Sequence, residues 1–210
     1  MPRTTDAHDV VIWGICLAGL AGMLFRPRDI AEWVWAGASA VLLTVFGLLP
    51  LRAVASAIGA GTDVYLFLAG MMLLAELARR EGLFDWVAAS AVAASGGSRF
   101  RLFALVYGAC VVVTVVLSND ATAVVLTPAV AAAVRGAKAA PLPHLFACAF
   151  VANAASFILP ISNPANLVVF AGAIPALPAW LATFALPSVL AIVATFAVLA
   201  AVSRDALRGD

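Results

Sequence analysis

From Val10 to Val202 the chain is a succession of apolar runs, most of them long enough to cross a lipid bilayer, set apart by short charged or proline-marked turns. A hydrocarbon layer about 30 Å thick takes roughly 20 residues of apolar helix, and within it every backbone N–H and C=O must find a partner inside the protein. That pattern restricts the fold to a bundle of helices. Composition agrees: 65% of the residues are apolar, 11% are charged and the mean hydropathy is +1.09, against about half apolar and a quarter charged in soluble domains. The expected class is an all-α polytopic membrane protein. A soluble enzyme, a disordered chain and a nucleic-acid binder are excluded, and a formal charge of +1 offers no surface for a polyanion. The start, Met1-Pro2-Arg3-Thr4-Thr5-Asp6, lacks the shape of a cleavable signal, so the first run is expected to be retained.

The runs differ in kind. Val10–Phe25, Ile30–Leu49 (closed by Pro50), Thr62–Ala78 and Trp180–Val202 (with Pro187 inside) read as spans, the first only marginally long enough. Leu83–Ser95 is shorter, reaching only about 20 Å as a helix, and is expected to lie at the membrane interface. Leu102–Leu117 and Ala121–Val134 flank Ser118-Asn119-Asp120; each falls short of a full crossing, so together they predict a re-entrant helical hairpin with its tip at membrane depth. Leu145–Ala173 is long enough to span but is interrupted by Pro160 and Pro164, which predicts a discontinuous helix. The expected organisation is scaffold spans and the interfacial helix over 1–98, the hairpin over 99–143, and the broken helix with the last span over 144–210, about five crossings in all.

Charge supports this layout. With Leu83–Ser95 at the interface, ten of the twelve basic residues share a side: Arg26, Arg28, Arg79, Arg80, Arg99, Arg101, Arg135, Lys138, Arg204 and Arg208. Only Arg3 and Arg52 lie opposite. If Leu83–Ser95 crossed instead, Arg26, Arg28, Arg79 and Arg80 would oppose the other eight. The positive-inside rule favours the first arrangement: a multi-pass protein of the inner (plasma) membrane, amino terminus outside and carboxyl terminus cytoplasmic.

Two polar clusters sit where the bilayer penalises them. One is Ser118, Asn119, Asp120 and Thr122, followed by Thr127-Pro128. The other is Ser162, Asn163 and Asn166, preceded by Asn153 and Ser156. Polar groups at that depth pair with one another or line a wet cavity. Hairpin tips and helix breaks free backbone groups, and half-helix termini carry partial charge that can hold a solute or ion. These nine residues are the candidate substrate site. Asp120, with no Lys or Arg in the apolar arms around it, is the candidate coupling residue for protons or another cation.

The remaining chemistry reads as structure. Glu76 precedes Arg79 and Arg80 at helix-pairing distance. Trp13, Trp33, Trp35, Trp86 and Trp180 lie near run ends, as an aromatic belt would. Gly19, Gly22, Gly70 and Gly108 suit close helix packing. Thiols can bind soft metals and metalloids, but Cys16, Cys110 and Cys148, all inside apolar runs, read as small buried hydrophobes. No His/Cys/carboxylate cluster has metal-ligand spacing, no cofactor is called for, and neither His8 nor His144 is placed for a catalytic dyad in the membrane.

At the two clusters the sequence resembles the arsenite permease (arsenical pump membrane protein) family, within the wider ion transporter superfamily that includes carboxylate carriers. The matching stretches are Phe67–Glu76, Arg80–Phe84, Leu117–Ala123 through Thr127-Pro128, and Ala152–Ser156 through Leu159–Leu167. Asn-Asp at the tip and Ser-Asn-x-x-Asn in the break are closer to arsenite permeases than to dicarboxylate carriers, which show Ser-Asn-Thr and Gly-Thr-Pro-Pro-Asn. Ala154 departs from the pattern, since relatives often carry a hydroxyl residue there. The resemblance implies export of arsenite or antimonite in exchange for protons by alternating access. It also implies two inverted repeats, each with a hairpin and a broken helix. One of each is present, so the chain reads as an amino-terminal half whose partner would be a carboxyl-terminal half or second subunit. A sodium- or proton-coupled carboxylate carrier, a membrane-embedded enzyme, and an inactive fragment or structural membrane subunit are the alternatives.

Overall fold

The computed structural model describes residues 7–170 and 173–208, and every regular element among them is helical. Arg3 and the side chain of His8 lie outside the described residues. The chain divides into two compact units, Met1–Thr62 and Asp63–Asp210.

The first unit holds α1 (Ala7–Phe25), α2 (Glu32–Val45) and α3 (Leu51–Ala60). A 3₁₀ turn over Pro27–Asp29, with Arg26, Arg28 and Asp29 in the left-handed region, reverses the chain, and Arg26 and Glu32 pair across it at 2.8 Å. The close approach of α1 to α2 depends on two glycines. A Cβ on Gly19 would collide with Ser39, and one on Gly22 with the Trp35 ring. The packing role expected of the glycines holds for these two. It does not hold for Gly70 and Gly108, beside which there is open space. The run Ile30–Leu49 is not one helix either: α2 stops after 14 residues at a turn in which Gly47 is left-handed, and Pro50 then opens α3.

The second unit is built around the hairpin. Its elements are α4 (Thr62–Arg80), α5 (Leu83–Ser95), α6 (Arg99–Val116), a π-helical segment (Ala121–Leu126), α7 (Thr127–Gly136), α8 (Pro141–Ala154), a 3₁₀ turn (Pro160–Ser162), α9 (Pro164–Phe170), α10 (Leu177–Val202) and α11 (Arg204–Leu207). The start of α6 and the residues after α7 share one polar pocket of about 240 Å³, lined by Arg99, Leu102, Lys138 and Ala139 among others. The chain therefore returns to where it left, and the segment is a hairpin. Its first arm is longer than its apolar run. Ser98 Oγ accepts the Arg101 N–H and starts the helix at Arg99, giving 18 residues, about 27 Å.

Leu83–Ser95 has the expected bounds, set by left-handed Gly82 and Gly96. Its surroundings differ from the expectation. Ser95 lines the pocket at the hairpin base, while the body of α5 packs on α6, on α7 and on the π segment near the tip. Phe84, Ala88, Ala91 and Ser95 form its buried stripe, the spacing of a helix with one face in a core. A short helix with small residues on that stripe fits lengthwise beside the arms, so α5 stands along the hairpin and not across its base.

α8 lies against both α6 and α7, and the core is shared by Phe103, Val106 and Cys110 of α6, Val130 and Val134 of α7, and Ala147, Cys148 and Val151 of α8. α10 runs through Pro187 without interruption and ties down both ends of the bundle. Near its start Trp180 Nε1–H donates to Phe157 O (3.0 Å); further on, Ile192 O accepts from Tyr107 Oη (2.6 Å) and Phe196 stacks on Phe103. Trp180 is fully buried and so is not part of an aromatic belt, whereas Trp13, Trp33 and Trp86 are exposed. Among the described residues α6 and α10 alone are single helices of bilayer-crossing length and hydropathy; α1, α2, α5 and α8 are shorter apolar helices.

Candidate functional site

Each arm of the hairpin ends in a polar turn because the backbone there has lost its helical partners. α6 stops at Leu117, and Ser118 turns inward, where its Oγ accepts the Ala121 N–H (3.2 Å). The chain then enters a π-helical turn, the wider helix form that recurs at functional sites. Thr122 is fully buried within it and shares a 2.8 Å hydrogen bond with Thr114 Oγ1 on the other arm, while its carbonyl accepts from Thr127 Oγ1 (2.8 Å). Thr122 therefore holds the two arms together. Asn119 and Asp120 make no such bonds. Asn119 Oδ1 is buried with no hydrogen-bond partner, and Asp120 is exposed and joins none of the ion pairs formed among the described residues.

The broken helix is arranged differently. α8 ends at Ala154, and the chain crosses an irregular stretch before α9. Asn166 lies buried in the gap, and its Nδ2 donates to both Ser156 O (3.1 Å) and Pro160 O (3.2 Å), which ties the two sides of the break together. Ser162 Oγ donates to Val115 O on α6 (3.0 Å) and accepts the Leu159 N–H (3.3 Å). This is the bond that sets the break beside the tip. Ser156 Oγ donates to Ala152 O (2.6 Å), and Asn163 Oδ1 accepts the Ala165 N–H (2.9 Å) at the start of α9. Asn153 is exposed and its Nδ2 donates back to Ala149 O (3.2 Å) on its own helix.

Of the nine candidate residues, Ser118 and Asp120 line an open pocket of about 520 Å³ between α4 and the start of the second arm. Its other walls are mostly apolar: Leu68, Met71 and Met72 from α4, and Val124 and Val125 from the π segment. That volume is within the range of small-molecule sites. Glu76 also lines it, which its pairing pattern in sequence gives no reason to expect. The pairing itself is present: Arg79 grips both Glu76 oxygens at 2.7 Å and Arg80 one of them at 2.8 Å. The clasp is exposed, so its value lies in holding the carboxylate at the pocket wall and not in stability. The second cluster contributes no lining residue to this pocket.

A family model described as a citrate transporter matches residues 11–209. A protein of Bacillus subtilis (strain 168), provisionally named an arsenical pump membrane protein, is 27% identical over 158 residues, which are 72% of this chain and 36% of that protein. An uncharacterized transporter of Synechocystis is 31% identical over 153 residues, 72% of this chain and 24% of the relative. A Dictyostelium discoideum transporter provisionally named arsB is 29% identical over 133 residues, 62% and 23% of the two chains. The chain thus spans about a third or less of the length of these relatives. No solved structure matches it.

Proposed function

The chain belongs to the citrate transporter family, and from that premise, with its apolar helices making it an integral membrane protein, we propose that it is one repeat unit of a secondary carrier that exports arsenite or antimonite in exchange for protons. Alternating access would need a second, inverted unit, supplied by a carboxyl-terminal half or a second subunit; the relatives' greater length supports this. Ser118, Asn119 and Asp120 meet the solute. Thr122, Ser156, Ser162, Asn163 and Asn166 build the frame that presents them. Asp120 carries the coupling proton.

One observation carries the reading: of the tip residues it is Asp120, an exposed carboxylate outside every ion pair formed among the described residues, that lines the pocket together with Ser118. Acceptors suit a neutral trihydroxide that donates hydrogen bonds, or a proton. The ionised Asp120 would repel a carboxylate anion. The family description favours a second reading, carriage of citrate or a related carboxylate, in which helix termini would bind the anion.

Everted membrane vesicles carrying the chain with a complementary half separate the two. Accumulation of labelled arsenite on an imposed acid-inside gradient is the expected result. Accumulation of citrate in its place selects the second reading, and accumulation of neither removes the carrier assignment.

A further inference from the structure

Two thiols from different helices meet in the core of the second unit. Cys110 on α6 and Cys148 on α8 are fully buried, and Cys110 Sγ–H donates to Cys148 Sγ across 3.4 Å. That separation discriminates among the things a thiol pair can do. A disulfide requires about 2 Å, so this is a dithiol. A soft ion held linearly by two thiolates, with bonds of about 2.3 Å, would keep the sulfurs about 4.6 Å apart. At the observed separation, bonds of that length meet only at an angle near 95°, by the same estimate of about 2.3 Å. This bent angle is that of a pyramidal trivalent centre bearing a lone pair. A tetrahedral ion would want further ligands, and among the described residues no group of three His, Cys, Asp or Glu side chains comes together.

The geometry points to Cys110 and Cys148 as a chelating site for trivalent arsenic or antimony hydroxide. The reaction balances without any oxidant. As(OH)3 and two thiols give a bis-thiolate arsenic hydroxide and two waters; two As–O bonds and two S–H bonds break, two As–S bonds form, each hydroxyl leaves with a thiol proton, and arsenic stays trivalent. The adduct is neutral, which an apolar core tolerates far better than the charged complex a metal cation would leave. The sulfurs are already held together by two packed helices, so closing the chelate loses little further freedom. The inference rests on the sulfur geometry and stands apart from the carrier reading, whose residues at the tip it does not use. Cys16 is exposed and lies in the other unit, which makes it an internal control.

The test is arsenic retention by the full chain, purified in detergent, exposed to sodium arsenite and freed of excess by gel filtration. One arsenic per chain with two As–S bonds by X-ray absorption is expected, unchanged in Cys16→Ser and in Asp120→Asn. Retention should fall about tenfold or more in Cys110→Ala and Cys148→Ala, because a single thiol forfeits the effective concentration of the second. Should those variants lose their helical circular dichroism, the Cys16→Ser chain supplies a second readout: arsenite should slow maleimide labelling of the two remaining thiols. No retained arsenic, undiminished retention in Cys148→Ala, a single As–S bond, or labelling indifferent to arsenite would each overturn the assignment. Because Asp120→Asn is expected to abolish transport yet keep this arsenic, failure of one reading is distinguishable from failure of the other.

Discussion

The hairpin tip and the helix break are made of the same short polar residues and use them in opposite ways. At the break, Ser156, Ser162 and Asn166 are buried and hydrogen-bonded within the protein. At the tip, Ser118 is likewise engaged, but Asn119 Oδ1 has no partner and Asp120 faces an open pocket. A buried polar group left unmade costs about 1–3 kcal/mol. The break has removed that cost and is a joint that keeps irregular backbone stable among apolar helices. The tip has kept it at Asn119, next to the carboxylate that lines the pocket. A polar interruption in an apolar run therefore signals irregular backbone first; spare hydrogen-bonding capacity is what separates a binding site from a joint.

Substitutions can break or sharpen that contrast. Asn166→Leu takes the donor from two buried carbonyls and should lower stability by about 2–5 kcal/mol, seen as a large drop in the thermal midpoint in detergent; a variant that melts with the wild type would make the break dispensable. Ser162→Ala loses the bond to Val115 and should cost about 1–2 kcal/mol, with faster exchange of the backbone amides around Leu159. Asn119→Ala should carry the opposite sign. It removes an orphaned acceptor, so stability should hold or rise by up to about 1 kcal/mol, while solute affinity falls. Asp120→Asn, at an exposed position, should move the midpoint by less than about 0.5 kcal/mol, and a larger loss would mean that the carboxylate is structural.

Much of this frame is legible in the sequence because glycine, proline and small polar residues mark where helices must stop. Gly82 and Gly96 set the ends of α5, Pro160 and Pro164 the break, and Ser118 the tip. What the pattern could not give are facts about who lies beside whom. Hydropathy put α5 at the interface because 13 residues are too few to cross, yet its alanine stripe fits along the arms. Trp180 reads as an interfacial aromatic until Phe157 O is found next to its indole. Asn153 belongs to the polar cluster by spacing and turns back on its own helix. Glu76 pairs locally as its spacing requires, but that it shares a pocket with Asp120 depends on how α4 passes the second arm. Cys110 and Cys148 stand 38 residues apart, and only the packing of α6 on α8 joins them. The long run Ile30–Leu49 contained its own stop signal in Gly47, a left-handed turn that apolar counting overlooks.

The claim at the centre is that the tip, and not the break, is where solute and proton meet, and proton-driven arsenite uptake in Asp120→Asn tests it most directly. Vesicles with matched amounts of wild-type and variant chain, each with the complementary half, are given the same acid-inside gradient. The variant is expected to be present and folded but to accumulate no arsenite in response to the gradient. Gradient-driven accumulation at the wild-type rate would contradict it.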